Sequence, residues 1–395
     1  MTTKPRQLPP SSVQLVDQEY LEQDASMVIK LSSNDKSRAI IQLAKPVSLP
    51  DGVCLMVDVS RSEIKVGFYK NNITVFVDKL ATELTDVALP GVQAKKGFLG
   101  RNQAKVSEKN NITVTYLDKT FSMGGRAQKL GGSRGLGQKK TVNLLERVLC
   151  ILAFYKIATG NVYLILSIPF EGDSDWSTQE TLALKTVEGQ KVFTSYPEEE
   201  KLLHDVEIIP SIVPETYYAQ KYPRLCDSEY HNWEEENHYV FDIGYQTFIK
   251  AAFTFDETSG ELYFDSDLSE CHDKYGLSRY YGYVAEECSY GEPENPLFIK
   301  AVNNKEKVFT TSEGEYNLSD ALPVAQTRYF SELLKLSKLA PGFAKFLVVG
   351  GGTHDFGEKL CDAFPHCASF VVELPELANV IGGALSLPVE FANVE

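Results

Sequence analysis

Asp58-Val-Ser-Arg-Ser-Glu-Ile-Lys65-Val-Gly67-Phe68 follows the apolar run Val53-Cys-Leu-Met-Val57, and Asp242-Ile-Gly244-Tyr-Gln-Thr247 follows Tyr239-Val-Phe241. Each stretch reads as a strand, a tight turn carrying one carboxylate, and a returning strand. A hairpin tip of this kind can aim backbone N–H groups at phosphate oxygens while its Asp faces a metal ion. Asp and Gly are ordinary turn formers, so one copy alone carries little weight. Two copies followed by Val349-Gly350-Gly351-Gly352-Thr353 carry much more. The three glycines let the chain pass beneath a ligand without side chains, and a helix starting near Asp355 would turn its positive end toward it.

Outward from these motifs, strands and helices alternate in both halves, which gives an α/β class. Met27–Leu31 and Ala39–Leu43 read as a strand pair, and Val53–Asp58, Lys65–Tyr69 and Ile73–Val77 as a meander. Thr141–Ala158 has apolar residues at helical spacing and feeds the buried strand Val162–Ile168, which Pro169 stops. Residues 171–230 read as charged helices with a proline-broken strand at Val206–Ile212, and Glu261–Phe264 as a short strand. Gly276–Glu287, Thr327–Leu339 and Pro375–Leu385 read as helices.

A chain of 395 residues is long enough for two lobes with separate cores. Its 43% hydrophobic and 24% charged residues are those of an ordinary globular protein. The net charge of −15 excludes broad direct binding to nucleic acid, so a DNA partner would come through an adaptor. Seven scattered cysteines without a Cys-x-x-Cys pair, and an N-terminus without an apolar signal, predict reduced thiols and a cytoplasmic protein. No apolar run reaches the roughly 20 residues of a membrane span. Gly132-x4-Gly137-Gln138-Lys139-Lys140-Thr141 is rejected as a P-loop, because Gln138 stands at the lysine position and no buried strand precedes it.

The order of the motifs resembles the actin-like superfamily, and within it the bacterial plasmid-segregation actins of the ParM/StbA type. Asp58–Phe68 is similar to the first phosphate motif, Asp242–Thr247 to the second, and Phe346–Thr353 to the adenosine motif. Pro375-Glu-Leu-Ala-Asn379-Val-Ile-Gly382-Gly383-Ala is similar to the second connecting helix. The resemblance implies an actin-like fold: two lobes, each a mixed β-sheet flanked by helices, with a nucleotide cleft between them. It divides the chain into an N-terminal extension (1–50), lobe I (51–168 plus 375–395) and lobe II (169–374).

It also implies ATP and Mg²⁺ as cofactors. Asp58 and Asp242 would hold the metal through water, and Asp58, Ser60, Arg61, Ser62, Lys65, Gly244, Tyr245, Gln246, Thr247, Gly350, Gly351, Gly352 and Thr353 would line the nucleotide. Asp242 and Glu171 are the catalytic candidates, Glu171 as the group that orients the attacking water; Gln179 and Glu180 are alternatives, and Glu171 reads equally as a solvated turn acid. The family's first turn has glycine where this chain has Ser60, so strain is expected there, or a serine hydroxyl that meets phosphate. The implied function is an ATP-hydrolysing protein that polymerises with itself into filaments, for plasmid segregation or intracellular organisation. A second reading keeps the fold as a nucleotide-binding scaffold with little turnover. A third, a small-molecule phosphotransferase, would need a base for the acceptor hydroxyl.

Overall fold

The computed structural model describes residues 13–15, 27–31, 38–60, 63–82, 84–85, 112–116, 119–124, 127, 143–157, 159–168, 184, 191–195, 202–221, 235–372 and 374–392. Arg61, Ser62, Pro169, Glu171, Gln179, Glu180 and the glycine-rich basic stretch 125–141 (Ala127 apart) lie outside the described residues. The chain divides into two compact units, one of residues 11–226 and 379–395, the other of 227–378.

The first unit is built on one sheet. Its strands are β1 (Val13–Leu15), β2 (Met27–Leu31), β3 (Ala39–Leu43), β4 (Val53–Val59), β5 (Glu63–Asn71), β6 (Thr74–Ala81), β7 (Leu84–Thr85), β8 (Ile112–Tyr116), β9 (Lys119–Met123), β10 (Thr159–Ile168), β11 (Lys191–Ser195) and β12 (Leu202–Pro214). Their order is β1-β2-β3-β6-β5-β4-β10-β12-β11-β8-β9-β7. The meander forms as the alternation predicts, with β4, β5 and β6 antiparallel, and β10 runs parallel to both β4 and β12. Helix α1 (Leu144–Phe154) covers one face with Leu144, Val148, Leu149 and Leu152, all buried. It is shorter than the periodicity suggests, since Lys156 takes a left-handed φ of 58° just past its end.

Two sequence expectations change here. Residues 27–43 are not an appendage to the sheet: β3 pairs with β6, Ala39 and Ile41 are fully buried, and Arg38 Nε lies 3.2 Å from Asp78 Oδ2. The division after residue 168 also moves, because β12 pairs with β10 from Asp205 through Pro214 and so keeps residues up to 214 in this sheet. Pro210 does not break β12. The partner on its other side, β11, ends its pairing at Asp205, so among the described residues no strand pairs with that edge beside Pro210, where a missing N–H is tolerated.

The second unit holds β13 (His238–Ile243), β14 (Thr247–Asp256), β15 (Glu261–Asp273), α2 (Leu277–Glu287), α3 (Pro296–Asn303), the hairpin β16 (Val308–Thr310) and β17 (Glu315–Asn317), α4 (Leu318–Leu336), β18 (Lys345–Val349), α5 (Thr353–Ala363) and β19 (Ala368–Val371). Its main sheet has the order β15-β14-β13-β18-β19, antiparallel on the β15 side and parallel from β13 to β19. The core is aromatic: Tyr280, Tyr329, Phe298, Phe346 and Phe356 are buried together. β15 runs well past Phe264, across an irregularity that Ser269 patches by accepting from the Ala252 N–H and donating to the Asp265 carbonyl. α4 begins nine residues before the expected Thr327, capped by Asn317, whose side chain accepts from the Ser319 N–H at 2.9 Å. Pro323 lies inside this helix.

The last helix, α6 (Ala378–Glu390), returns to the first unit. Its small residues serve close packing on that unit's sheet. A Cβ on Gly383 would sit 2.6 Å from the Met56 sulfur of β4, and one on Gly67 of β5 would sit 2.8 Å from the Ala384 Cβ. Six cysteines among the described residues are free thiols, and Cys226 lies outside them.

Candidate functional site

The two quoted stretches fold into matching hairpins. In the second unit, Asp242 pairs with Ile249, Ile243 pairs with Phe248, and the Gly244 N–H donates to the Thr247 carbonyl at 2.9 Å. In the first, Asp58 pairs with Lys65, Val59 pairs with Ile64, and the Ser60 N–H donates to the Glu63 carbonyl at 3.0 Å. Both turns therefore close two residues after the Asp, with two residues at the tip. Ser60 corresponds to Gly244, Glu63 to Thr247 and Lys65 to Ile249.

The tip of the second hairpin is oriented by α2. The carbonyls of Gly244, Tyr245 and Gln246 accept from the N–H groups of Leu277 (2.9 Å), Ser278 (2.7 Å) and Gly276 (3.0 Å). These bonds satisfy donors that a helix start leaves unpaired. In a trans peptide the N–H opposes the C=O, so the N–H groups of Tyr245 and Gln246 point away from α2. Successive backbone N–H groups turned to one side form an anion-binding concavity. Gly276 allows the approach, since a Cβ there would lie 2.6 Å from the Gln246 carbonyl carbon.

The glycine turn packs against the same hairpin. β13 and β18 run parallel with Asp242 beside Val349, and the Gly352 N–H donates to the Ile243 carbonyl at 2.8 Å. Gly350 has φ 89°; a Cβ on it would come within 2.7 Å of the Ile243 oxygen and closer still to Asp242 Oδ1. Both the conformation and the space demand glycine. Gly351 is exposed, with nothing within 4 Å of a built Cβ. α5 starts directly after, and Thr353 is buried with no hydrogen-bond partner for its Oγ1 among the described residues. Asp242, Gly244, Tyr245, Gln246, Thr247, Gly350, Gly351, Gly352 and Thr353 are thus brought to one end of the parallel strands, where open α/β sheets bind ligands.

In the first hairpin Asp58 is 3% exposed, and its Oδ2 lies 3.6 Å from Lys65 Nζ. Its Oδ1 is buried without a hydrogen-bond partner among the described residues, and an orphaned carboxylate oxygen suits a hydrated cation. Ser60 departs from expectation. It is not among the left-handed residues, and its hydroxyl donates to the Glu63 carbonyl at 2.7 Å. The serine therefore bonds back to its own turn with no left-handed φ of its own, and its hydroxyl proton is engaged there. At the matching position a Cβ on Gly244 would stand 3.1 Å from the Thr247 oxygen, the same corner of the turn.

A further polar cluster was missed from sequence. β4, β10 and β12 are parallel and end together, with Ser167 in register with both Asp58 and Val213. Just past β12 lie Glu215 and Thr216, both buried. Asn379 joins the strand ends, donating from Nδ2 to Ser167 Oγ at 2.8 Å and accepting from the Tyr218 N–H at 3.2 Å. The available signal was Pro214-Glu215 after an apolar strand, a pattern that the sequence also shows at Pro169-Phe-Glu171.

No protein-family profile and no curated protein matches the chain. Solved structures do match. A ParM filament of 15 strands from Clostridium botulinum aligns with TM-score 0.62 at 13% identity, over 87% of this chain and 100% of that one. Actin-like protein Alp7A aligns with TM-score 0.58 at 13% identity, over 86% and 97%. An archaeal actin homolog in complex with ADP aligns with TM-score 0.52 at 15% identity, over 85% and 98%. At such identities the likeness speaks for architecture, and it agrees with the paired hairpins and the glycine turn. The chain has the actin-like fold, in the form that the ParM proteins share.

Proposed function

We propose that this chain binds ATP with Mg²⁺, hydrolyses it, and assembles into filaments that move or organise cell contents, DNA segregation among them. The observation that carries the reading is the repeated Asp-bearing hairpin, closed by the same bond in both copies, with a glycine turn packed on the second Asp. Two of the similar proteins, a ParM filament and an archaeal actin homolog in complex with ADP, support it as analogy. Backbone N–H groups of Tyr245 and Gln246 would take phosphate oxygens, and Lys65 would neutralise phosphate charge. Asp58 and Asp242 would hold Mg²⁺ through water; the metal, when bound, offsets charge on the transferring phosphoryl group.

For the water-orienting carboxylate we favour Glu215 over Glu171, because Glu215 is buried and directly follows β12, whose end is in register with the end of β10. Ser60, where the chain departs from the family's glycine, donates its hydroxyl to the Glu63 carbonyl and is not itself left-handed, so the hairpin forms with serine at that position. Sedimentation and electron microscopy of the purified protein with ATP, ADP or no nucleotide test the proposal. Polymer that forms with ATP and Mg²⁺ and disassembles as phosphate is released is expected. Monomer throughout, or equal polymer in all three conditions, would refute nucleotide-controlled assembly.

A further inference from the structure

Thr216 combines two features that packing alone does not explain. It is β-branched yet sits at φ 73°, a conformation such side chains avoid. It is also fully buried, and its Oγ1 has no hydrogen-bond partner among the described residues. Backbone outliers of this kind persist only where the surroundings over-determine them, and they concentrate at ligand sites. Here the surroundings do so. The Tyr217 N–H donates to the Pro214 carbonyl at 3.1 Å, and the Ala219 N–H to the Thr216 carbonyl at 3.0 Å. α6 then grips Tyr218 at three points. Asn379 Oδ1 accepts from its N–H, Gly382 leaves room for its carbonyl, and Glu390 Oε2 accepts from its hydroxyl at 2.9 Å.

The place of the turn says what the hydroxyl is for. β4 and β12 flank β10, so their ends lie two strand spacings apart, about 10 Å. Asp58, with its orphaned oxygen, stands at the end of β4, and Thr216 follows the end of β12. A divalent cation about 2.1 Å from its waters, each water about 2.8 Å from a protein oxygen, spans about 10 Å from one acceptor to the other. We infer that Thr216 is a ligand-binding residue whose hydroxyl takes a water accompanying a phosphate-bound divalent cation, across from Asp58. This rests on the nucleotide reading above.

The test is isothermal titration of ATP into the full chain, once with Mg²⁺ and once with EDTA. The parent, Thr216→Val, Thr216→Ser and Thr216→Gly are compared. Valine keeps the branch and the strain but removes the hydroxyl, serine keeps the hydroxyl, and glycine fits the left-handed backbone. With Mg²⁺, valine and glycine should weaken binding on the order of tenfold while serine stays close to the parent. With EDTA the folded variants should match the parent. Equal affinity of the valine variant and the parent in Mg²⁺ would overturn the inference, and so would equal weakening in Mg²⁺ and EDTA, which marks a structural role. If circular dichroism shows the valine variant unfolded, the glycine variant decides by the same criteria. A parent that binds no ATP under either condition would sink the nucleotide reading itself, and this inference with it.

Discussion

Replacing Gly350 with alanine should be far more damaging than replacing its neighbour Gly351. At Gly350 an alanine must hold φ 89°, which costs an L residue roughly 1–2 kcal/mol. Its Cβ would also enter space held by the Ile243 carbonyl, 2.7 Å away, and by the Asp242 carboxylate. Relieving that overlap means moving β13 against β18, or turning Asp242 away, at about 1–3 kcal/mol for overpacking. The total of about 2–5 kcal/mol is a large share of a domain's usual stability of about 5–15 kcal/mol. At Gly351 no atom lies within 4 Å and φ is not left-handed, so alanine should change stability by about 0.5 kcal/mol or less. Urea denaturation of both variants, followed by circular dichroism, measures the difference. Similar midpoints for the two would refute the claim that Asp242 is packed against the glycine turn. On the proposed function, Gly350→Ala should also lose ATP turnover, because Asp242 is displaced, while Gly351→Ala keeps it.

Three further outcomes follow from the described contacts. Ser60→Gly should destabilise the first hairpin by about 1 kcal/mol by removing the hydroxyl bond to Glu63; a rise in melting temperature would contradict this. A chain shortened to begin at Leu49 loses the buried Ala39 and Ile41 and bares the edge of β6, so its stability to urea should fall by about 3 kcal/mol or more, and an unchanged midpoint would refute the role of β3. The Arg279 guanidinium, donating from Nε at 2.5 Å and from Nη2 at 2.9 Å, holds the Glu332 carboxyl below its ordinary range. Because the folded pKa is depressed, the stabilisation is present at neutral pH and lost as pH falls through the folded carboxyl's titration. Glu332→Gln should therefore cost about 1 kcal/mol at pH 7, with the gap closing in acid; a gap independent of pH would refute it.

The sequence by itself determined the parts of this protein that are local. Asp58 with the Val53–Val57 run, Asp242 with Tyr239–Phe241, and three glycines after Val349 announce strands and turns whose geometry is set within about ten residues. Those hairpins and that turn form as read. The sequence could not say what Ser60 does, because its hydroxyl could reach outward to a ligand or back to its own turn, and it donates to the Glu63 carbonyl. Nor could it assign Ala39–Leu43 to the sheet or carry β12 through Pro210, since strand pairing joins residues far apart and depends on which edges stay open. Thr216 shows the limit most clearly. Its residue type argues against a left-handed turn, and the turn's own bonds hold it there together with the grip of α6, more than 160 positions later.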